Sequence, residues 1–331
     1  MNENSIRPDE LMYKCKILRE IDSKNMLKNK TKFVFVNCPA CDNTSYSFKF
    51  NKEGYSFVEC NFCETLFVNP RPNFDLIVDF YKKSKACKYW NTHVFKLSEE
   101  KRKKEIFEPR ADKVISLCSK YFIDNEFLID VGAGFGTFAT VLKKCNFFKK
   151  ILLVEPAKSL ADTCRNRGLD VIEAPIEDVD LKNVSVVTSF EVIEHLYNPR
   201  EFILSCKKVL KDKGLLIITT PNIKGFDLNI LGHNSDNIFA PEHLNYFNIE
   251  SIENLLRGCG FKVLETLTPG KLDAEIVRKK ILSEEFDVSN IPFMKYLLVD
   301  KWHSISKNFQ DFIALNNLSS HLWVVAQNVL S

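Results

Sequence analysis

Three of the 11 glycines in this 331-residue chain fall within five positions, at Gly132, Gly134 and Gly136. They stand between an apolar run, Phe127-Leu128-Ile129, and a stretch from Thr137 to Lys144 that reads as a helix. Glycines there permit a tight turn and let a ligand lie against bare backbone at a helix N-terminus. A strand, a glycine turn and a helix, in that order, open an α/β unit and exclude most all-helical and all-strand folds. Short apolar runs follow at Ile151 to Val154, Val171-Ile172, Val184 to Thr188 and Leu215 to Thr219, with helical segments such as Pro199 to Leu210 between them. Continuous apolar runs alternating with helices predict a parallel sheet covered on both faces. Phe261 to Leu264 and His321 to Ala326 supply two candidate last strands.

The loop implies a nucleotide-type ligand but not a dinucleotide. Gly-x-Gly-x-x-Gly fails, because the position three after Gly134 is Thr137. The pattern is instead Asp130-Val131-Gly132-Ala133-Gly134-Phe135-Gly136, with an aspartate at the strand end. Glu155, at the end of the next strand and 19 residues past Gly136, can accept both ribose hydroxyls of an adenosine.

Cysteine gives the second constraint. Four of the 11 cysteines form two Cys-x-x-Cys knuckles, Cys38-Pro39-Ala40-Cys41 and Cys60-Asn61-Phe62-Cys63, with 18 residues between them. Two such knuckles aim four thiolates at one ion and leave no position for water, which is the pattern of a structural zinc site. About 40 residues of β-hairpin have little core of their own, so metal ligation would supply the missing stability. A redox pair would need one knuckle at a strand-to-helix junction, and neither is there. An odd cysteine count and a polar N-terminus without a signal-type pattern point to a cytoplasmic chain. No apolar run reaches the ~20 residues of a membrane span.

Domain limits follow: a polar arm over 1–31, a zinc ribbon over 32–72, a helical linker over 73–125 and a sheet domain over 126–331 with a helical insertion at about 268–318. Glu99 to Glu105 holds four cations and reads as a solvated helix face. Lys+Arg 46 against Asp+Glu 43 leaves a net charge of +3, which provides no electrostatic footprint for nucleic acid or an anionic membrane.

The glycine loop and its acidic partners resemble the S-adenosylmethionine site of class I methyltransferases, over residues 126 to 265. Ser189-Phe190-Glu191-Val192-Ile193-Glu194-His195-Leu196 looks like the segment found in ubiquinone-pathway methyltransferases, and Lys213 to Asn222 is similar to the family's fifth strand and exit loop. The resemblance implies a Rossmann-like, seven-stranded, mostly parallel sheet with a small N-terminal zinc-ribbon β domain. It also implies that Asp130, Gly132, Ala133, Gly134 and Gly136 hold the donor's methionine moiety and that Glu155 takes the ribose. Ile176 and Glu177 would flank the adenine, and Phe190 would line the sulfonium.

Two places offer an acceptor base. Glu194-His195 follows the fourth strand, and Glu242-His243 lies in the long loop after the fifth, with Tyr246 close behind. A histidine's pKa suits it to take a hydroxyl proton. His195 reads equally as a helix-start histidine that organises its loop, and Glu242-His243 as lid structure or as chemistry. The four-cysteine knob, Asn69-Pro70-Arg71-Pro72 and the sheet domain together resemble nucleotide-sugar C-methyltransferases, whose lid carries Tyr-Asp-Glu-His. Here the segment is Ala240-Pro241-Glu242-His243, which lacks the tyrosine, and a further C-terminal domain of that group has no room. Shorter relatives with the same zinc knob are associated with surface polysaccharide and sugar modification, so the resemblance implies transfer to a hydroxyl, or alternatively a carbon, of a sugar or other small metabolite. The alternatives are an RNA or tRNA methyltransferase gripping nucleic acid with the ribbon, and a non-catalytic binding module. The ribbon's Lys49, Lys52 and Arg71 against Asp42, Glu53, Glu59 and Glu64 disfavour nucleic acid. The oligomeric state is not legible.

Overall fold

A computed structural model describes residues 3–329. Strands, in chain order, are β1 (Phe33–Val34), β2 (Tyr46–Lys52), β3 (Tyr55–Cys60), β4 (Leu66–Val68), β5 (Arg71–Pro72), β6 (Phe127–Val131) and β7 (Lys150–Val154). They continue as β8 (Val171–Ile172), β9 (Val184–Phe190), β10 (Leu210–Pro221), β11 (Asn245–Tyr246), β12 (Phe261–Leu267) and β13 (His321–Asn328). The chain forms two compact units. The first gathers residues up to Lys96, Pro221–Ser251 and Leu267–Leu322; the second gathers Leu97–Thr220, Ile252–Thr266 and the chain from Trp323.

The second unit is built on a seven-stranded sheet in the order β12-β13-β10-β9-β6-β7-β8. The ladders β10/β9, β9/β6, β6/β7 and β7/β8 are parallel, so the central strands are covered on both faces and need apolar side chains on each. Leu128, Ile129, Leu153, Val186, Val187, Leu216 and Ile217 are accordingly buried. This is the Rossmann-like, seven-stranded, mostly parallel sheet that the sequence motifs implied. Its helices start as their sequences dictate: Asn198 caps Pro199–Val209 by accepting from the Glu201 N–H, with proline at the first helical position.

The first unit carries the four-stranded antiparallel sheet β11-β4-β3-β2, with the small β1–β5 pair. Phe57, Phe67 and Tyr246 fill its buried side. Arg71 is 1% exposed, donating from Nη2 to Asn245 Oδ1 at 3.1 Å and from Nε to the Val68 carbonyl at 3.3 Å. The Asn-Pro-Arg-Pro stretch thus ties β4 to β11. Residues 268–318 hold the helices Asp273–Leu282, Pro292–Lys295 and Trp302–Leu315, whose Ala274, Val277, Met294, Leu298 and Ile313 cluster with Leu231.

The unit boundaries differ from those drawn on the sequence. The ribbon takes its fourth strand from residues 245–246, and the helices from residue 97 onward fold with the sheet. The N-terminal segment is a 19-residue helix, Asp9–Leu27. Glu99 is also no solvated charge: it accepts from Thr137 Oγ1 at 2.6 Å and from Arg167 Nη2 at 3.0 Å. No helix among the described residues is long and apolar enough to cross a membrane.

Candidate functional site

In the second unit the site forms where β6 and β7 end. Gly132, Gly134 and Gly136 all have positive φ, and their surroundings separate them. A Cβ on Gly132 would meet Val192 Cγ2 at 2.5 Å, and one on Gly136 would meet Leu169 Cδ1 at 2.6 Å. A Cβ on Gly134 would meet nothing within 4 Å. The outer glycines therefore serve packing, and Gly134 alone of the three turns its bare backbone to open space, where a ligand can lie.

Two buried carboxylates frame that space. Glu155, 5% exposed, accepts from the Gly134 N–H through Oε2 at 2.8 Å and from the Ala157 N–H through Oε1 at 2.9 Å. Burial raises its pKa, and the two backbone N–H groups oppose the rise. Asp130, 3% exposed, accepts from Thr188 Oγ1 at 2.8 Å. Burial pushes it up to about 7, against the Thr188 hydrogen bond and the Arg110 cation, with Glu155 adding to the rise.

Phe190 ends β9 edge-to-face with Phe138, ring centroids 4.9 Å apart, and 5.6 Å from the Trp323 ring. Arg110 places its guanidinium 4.3 Å from the Phe190 centroid and 3.9 Å from Glu191 Oε1. This arginine was invisible to sequence reasoning. It lies in the helix Glu108–Lys120, before the first sheet strand, and only the fold brings it to Phe190. Ile176 is buried in the turn Ile176–Asp178, while Glu177 beside it is exposed. His195 ends the turn Ile193–His195, its Nε2 3.9 Å from Glu194 Oε1; Glu194 is 1% exposed and accepts from Thr220 Oγ1 at 3.0 Å.

In the first unit the four cysteines converge. Their sulfurs all lie within 4.8 Å of one another, with Cys38–Cys63 and Cys41–Cys60 at 3.5 Å. Each knuckle is followed by a residue with positive φ, Asp42 at 61° and Glu64 at 54°, so both turns close alike. The hydrogen bond from Cys38 draws the Cys63 thiol below its ordinary range, with Thr65 assisting, and the same contact raises Cys38. A tetrahedral zinc with Zn–S of about 2.3 Å requires sulfurs about 3.8 Å apart. The observed cluster fits that requirement.

Glu242 and His243 belong to the same unit, in the loop before β11. Glu242 Oε1 lies 3.6 Å from Arg19 Nε, and its carbonyl accepts from Tyr81 OH at 3.1 Å. His243 Nδ1 is 3.2 Å from the Asn237 carbonyl, and its ring is 4.3 Å from that of Phe239. The Tyr246 hydroxyl accepts from the Phe239 N–H at 2.9 Å, which fixes the loop.

A family described as a methyltransferase domain matches residues 99–266, about half of the chain. A Mycolicibacterium smegmatis protein described as a probable S-adenosylmethionine-dependent methyltransferase is 33% identical over 98 residues, 30% of this chain and 35% of that protein. A ubiquinone biosynthesis O-methyltransferase of Rickettsia bellii is 34% identical over 102 residues, 29% of this chain and 42% of its own length. The chain thus spans well under half the length of these curated relatives. Among solved structures, an S-adenosylmethionine-dependent methyltransferase of Clostridium acetobutylicum superposes with a TM-score of 0.49 at 10% identity, over 74% of this chain and 100% of that one.

Proposed function

Since this chain belongs to the methyltransferase-domain family, we propose that it transfers the methyl group of S-adenosylmethionine to a hydroxyl of a sugar or other small metabolite. The observation that carries the donor assignment is the open face of Gly134 beside the buried Glu155 carboxylate. A Cβ would fill that cradle, and a carboxylate with hydrogen-bonded oxygens is oriented to accept from ribose hydroxyls. Asp130, Gly132, Ala133 and Gly136 shape the loop around the methionine end. Phe190 supplies a π face for a sulfonium cation, and Arg110 a cation that can meet the donor's carboxylate. Ile176 and Glu177 are the proposed adenine flank. When bound, the donor supplies an activated methyl group, so the protein's work is alignment and removal of the acceptor's proton.

For that proton we assign the Glu242-His243 pair. A hydrogen bond from Nδ1 to the Asn237 carbonyl puts the ring proton on Nδ1 and the basic lone pair on Nε2. His195, at the end of its short turn, is assigned to organising the loop after β9. Zinc at Cys38, Cys41, Cys60 and Cys63 is proposed as structural, because four sulfurs leave no position for a reacting group. The odd thiol count supports a cytoplasmic location.

Titration calorimetry with S-adenosylmethionine tests the donor site. Glu155→Ala should weaken binding roughly tenfold to a hundredfold, the value of hydrogen bonds to a charged acceptor. Gly134→Val should abolish it, by strain and by filling the cradle. Unchanged affinity in both variants overturns the reading.

A further inference from the structure

We infer that Arg19, carried by the helix Asp9–Leu27, is a positioning residue for Glu242, fixing its carboxylate and favouring its charged form in the loop that also carries His243. The inference rests on the Glu242-His243 assignment above. Its geometry involves one guanidinium with two contacts. Arg19 Nε lies 3.6 Å from Glu242 Oε1, and the guanidinium carbon sits 3.9 Å from the centre of the Phe239 ring. That ring also neighbours His243, at 4.3 Å between centroids. Arg19 therefore touches the carboxylate directly and the histidine through Phe239.

The helix bearing Arg19 is itself fixed. Asp22, one turn further on and 8% exposed, accepts from Ser84 Oγ at 2.7 Å and from the Ala86 N–H at 2.9 Å. Tyr81, just before that junction, donates to the Glu242 carbonyl at 3.1 Å. The N-terminal helix, the 74–89 helices and the loop before β11 thus form one polar lattice in which each charge has an assigned place.

Burial and neighbouring charge pull Glu242 in opposite directions, and burial is the stronger, so its carboxyl stands above the ordinary range even with Arg19 beside it. The Glu242 side chain is 13% exposed, and burial favours its neutral acid. Asp22 from the same helix works in the same direction. The thiols of Cys15 and Cys87 face this carboxylate and are themselves raised, chiefly by burial and further by Glu242. Tyr81 donates to the Glu242 carbonyl, and His243 is the next residue along. Arg19 opposes these influences. Its removal must favour the protonated carboxyl, which cannot accept an acceptor's hydroxyl proton.

The full-length zinc-loaded protein, labelled with 13C at glutamate carboxyls, tests this without an acceptor. The Glu242 signal is identified by its absence in Glu242→Gln and titrated between pH 4 and 9. Arg19→Gln should raise its midpoint by about one to three pH units, the effect of losing an opposite charge at this distance. Arg19→Lys should bring the midpoint most of the way back, since the charge returns. An unmoved midpoint in Arg19→Gln overturns the inference. If Arg19→Gln does not fold, Arg19→Met decides: a raised Glu242 midpoint supports the inference, and an unmoved one overturns it. A separate arm addresses the underlying assignment. Label transfer from methyl-tritiated S-adenosylmethionine into cell-extract glycan should be lost in Glu242→Gln and His243→Ala. Full transfer in both overturns the acid–base pair, whatever the Arg19 titration shows.

Discussion

Asp130 sits 3% exposed at the end of β6, with a pKa pushed up to about 7 by burial. In the unfolded chain its carboxyl would titrate near ~3.9. Between those values the folded protein keeps a proton that the unfolded chain has lost. This group's contribution to stability is therefore full below about pH 4 and is lost as pH rises through 7. Donor binding has the opposite sign, because a ligand carrying a sulfonium and an ammonium favours the carboxylate. Affinity for S-adenosylmethionine should rise from pH 6 to 8, and calorimetry on Asp130→Asn should show that rise flattened. The glycine pattern and Asp130 were legible in the sequence, because a strand end, a turn and a helix start leave local signals. Which glycine faces open space was not. That depends on Val192 and Leu169, which reach Gly132 and Gly136 only through the fold. Arg110 escaped for the same reason.

The helix Asp9–Leu27 shows where periodicity loses its power. Its buried positions are Cys15, Asp22, Ser23 and Met26, two of them polar, whereas Tyr13, Ile17 and Ile21 stand exposed. Leu11, Met12, Cys15 and Leu18 do pack against Tyr89, Val94 and Trp90, but the buried Asp22 and Ser23 break that apolar stripe before the helix ends, which weakens its periodicity. Asp22→Ala should leave the buried Ser84 hydroxyl and Ala86 N–H without their acceptor, at a cost of about 1–3 kcal/mol in urea unfolding. A variant as stable as the original would show that the helix is held by other contacts. The strands β6, β7, β9 and β10 were readable, because strands buried on both faces write continuous apolar runs. The two-residue β11 was not, since its pairing with β4 is a tertiary fact with no local signature. The cysteine knuckles were readable because their Cys-x-x-Cys spacing is a pattern within the sequence itself.

At the scale of the molecule, one metal per chain should appear in elemental analysis of freshly purified protein. Cys60→Ser, or a strong chelator, should remove it and lower the thermal midpoint of the first unit, because ligation stands in for the core that the ribbon lacks. Metal-free protein with an unchanged midpoint would show that β11 and the buried Arg71 hold the ribbon without it. The two-unit division of the chain was legible only in outline. The ribbon and the sheet announced themselves, but the recruitment of 221–251 and 267–322 to the ribbon's unit is written in contacts across long loops. The position of β13 has a consequence for the order of events in the cell. It is the last strand among the described residues, yet it lies between β12 and β10 inside the sheet. While a nascent chain is still emerging from the ribosome, β10 must present an unpaired edge, and the sheet cannot close until residues 321–328 are released. Completion of the sheet therefore waits for residues 321–328, and until they are made the chain has an exposed β10 edge for chaperones to cover.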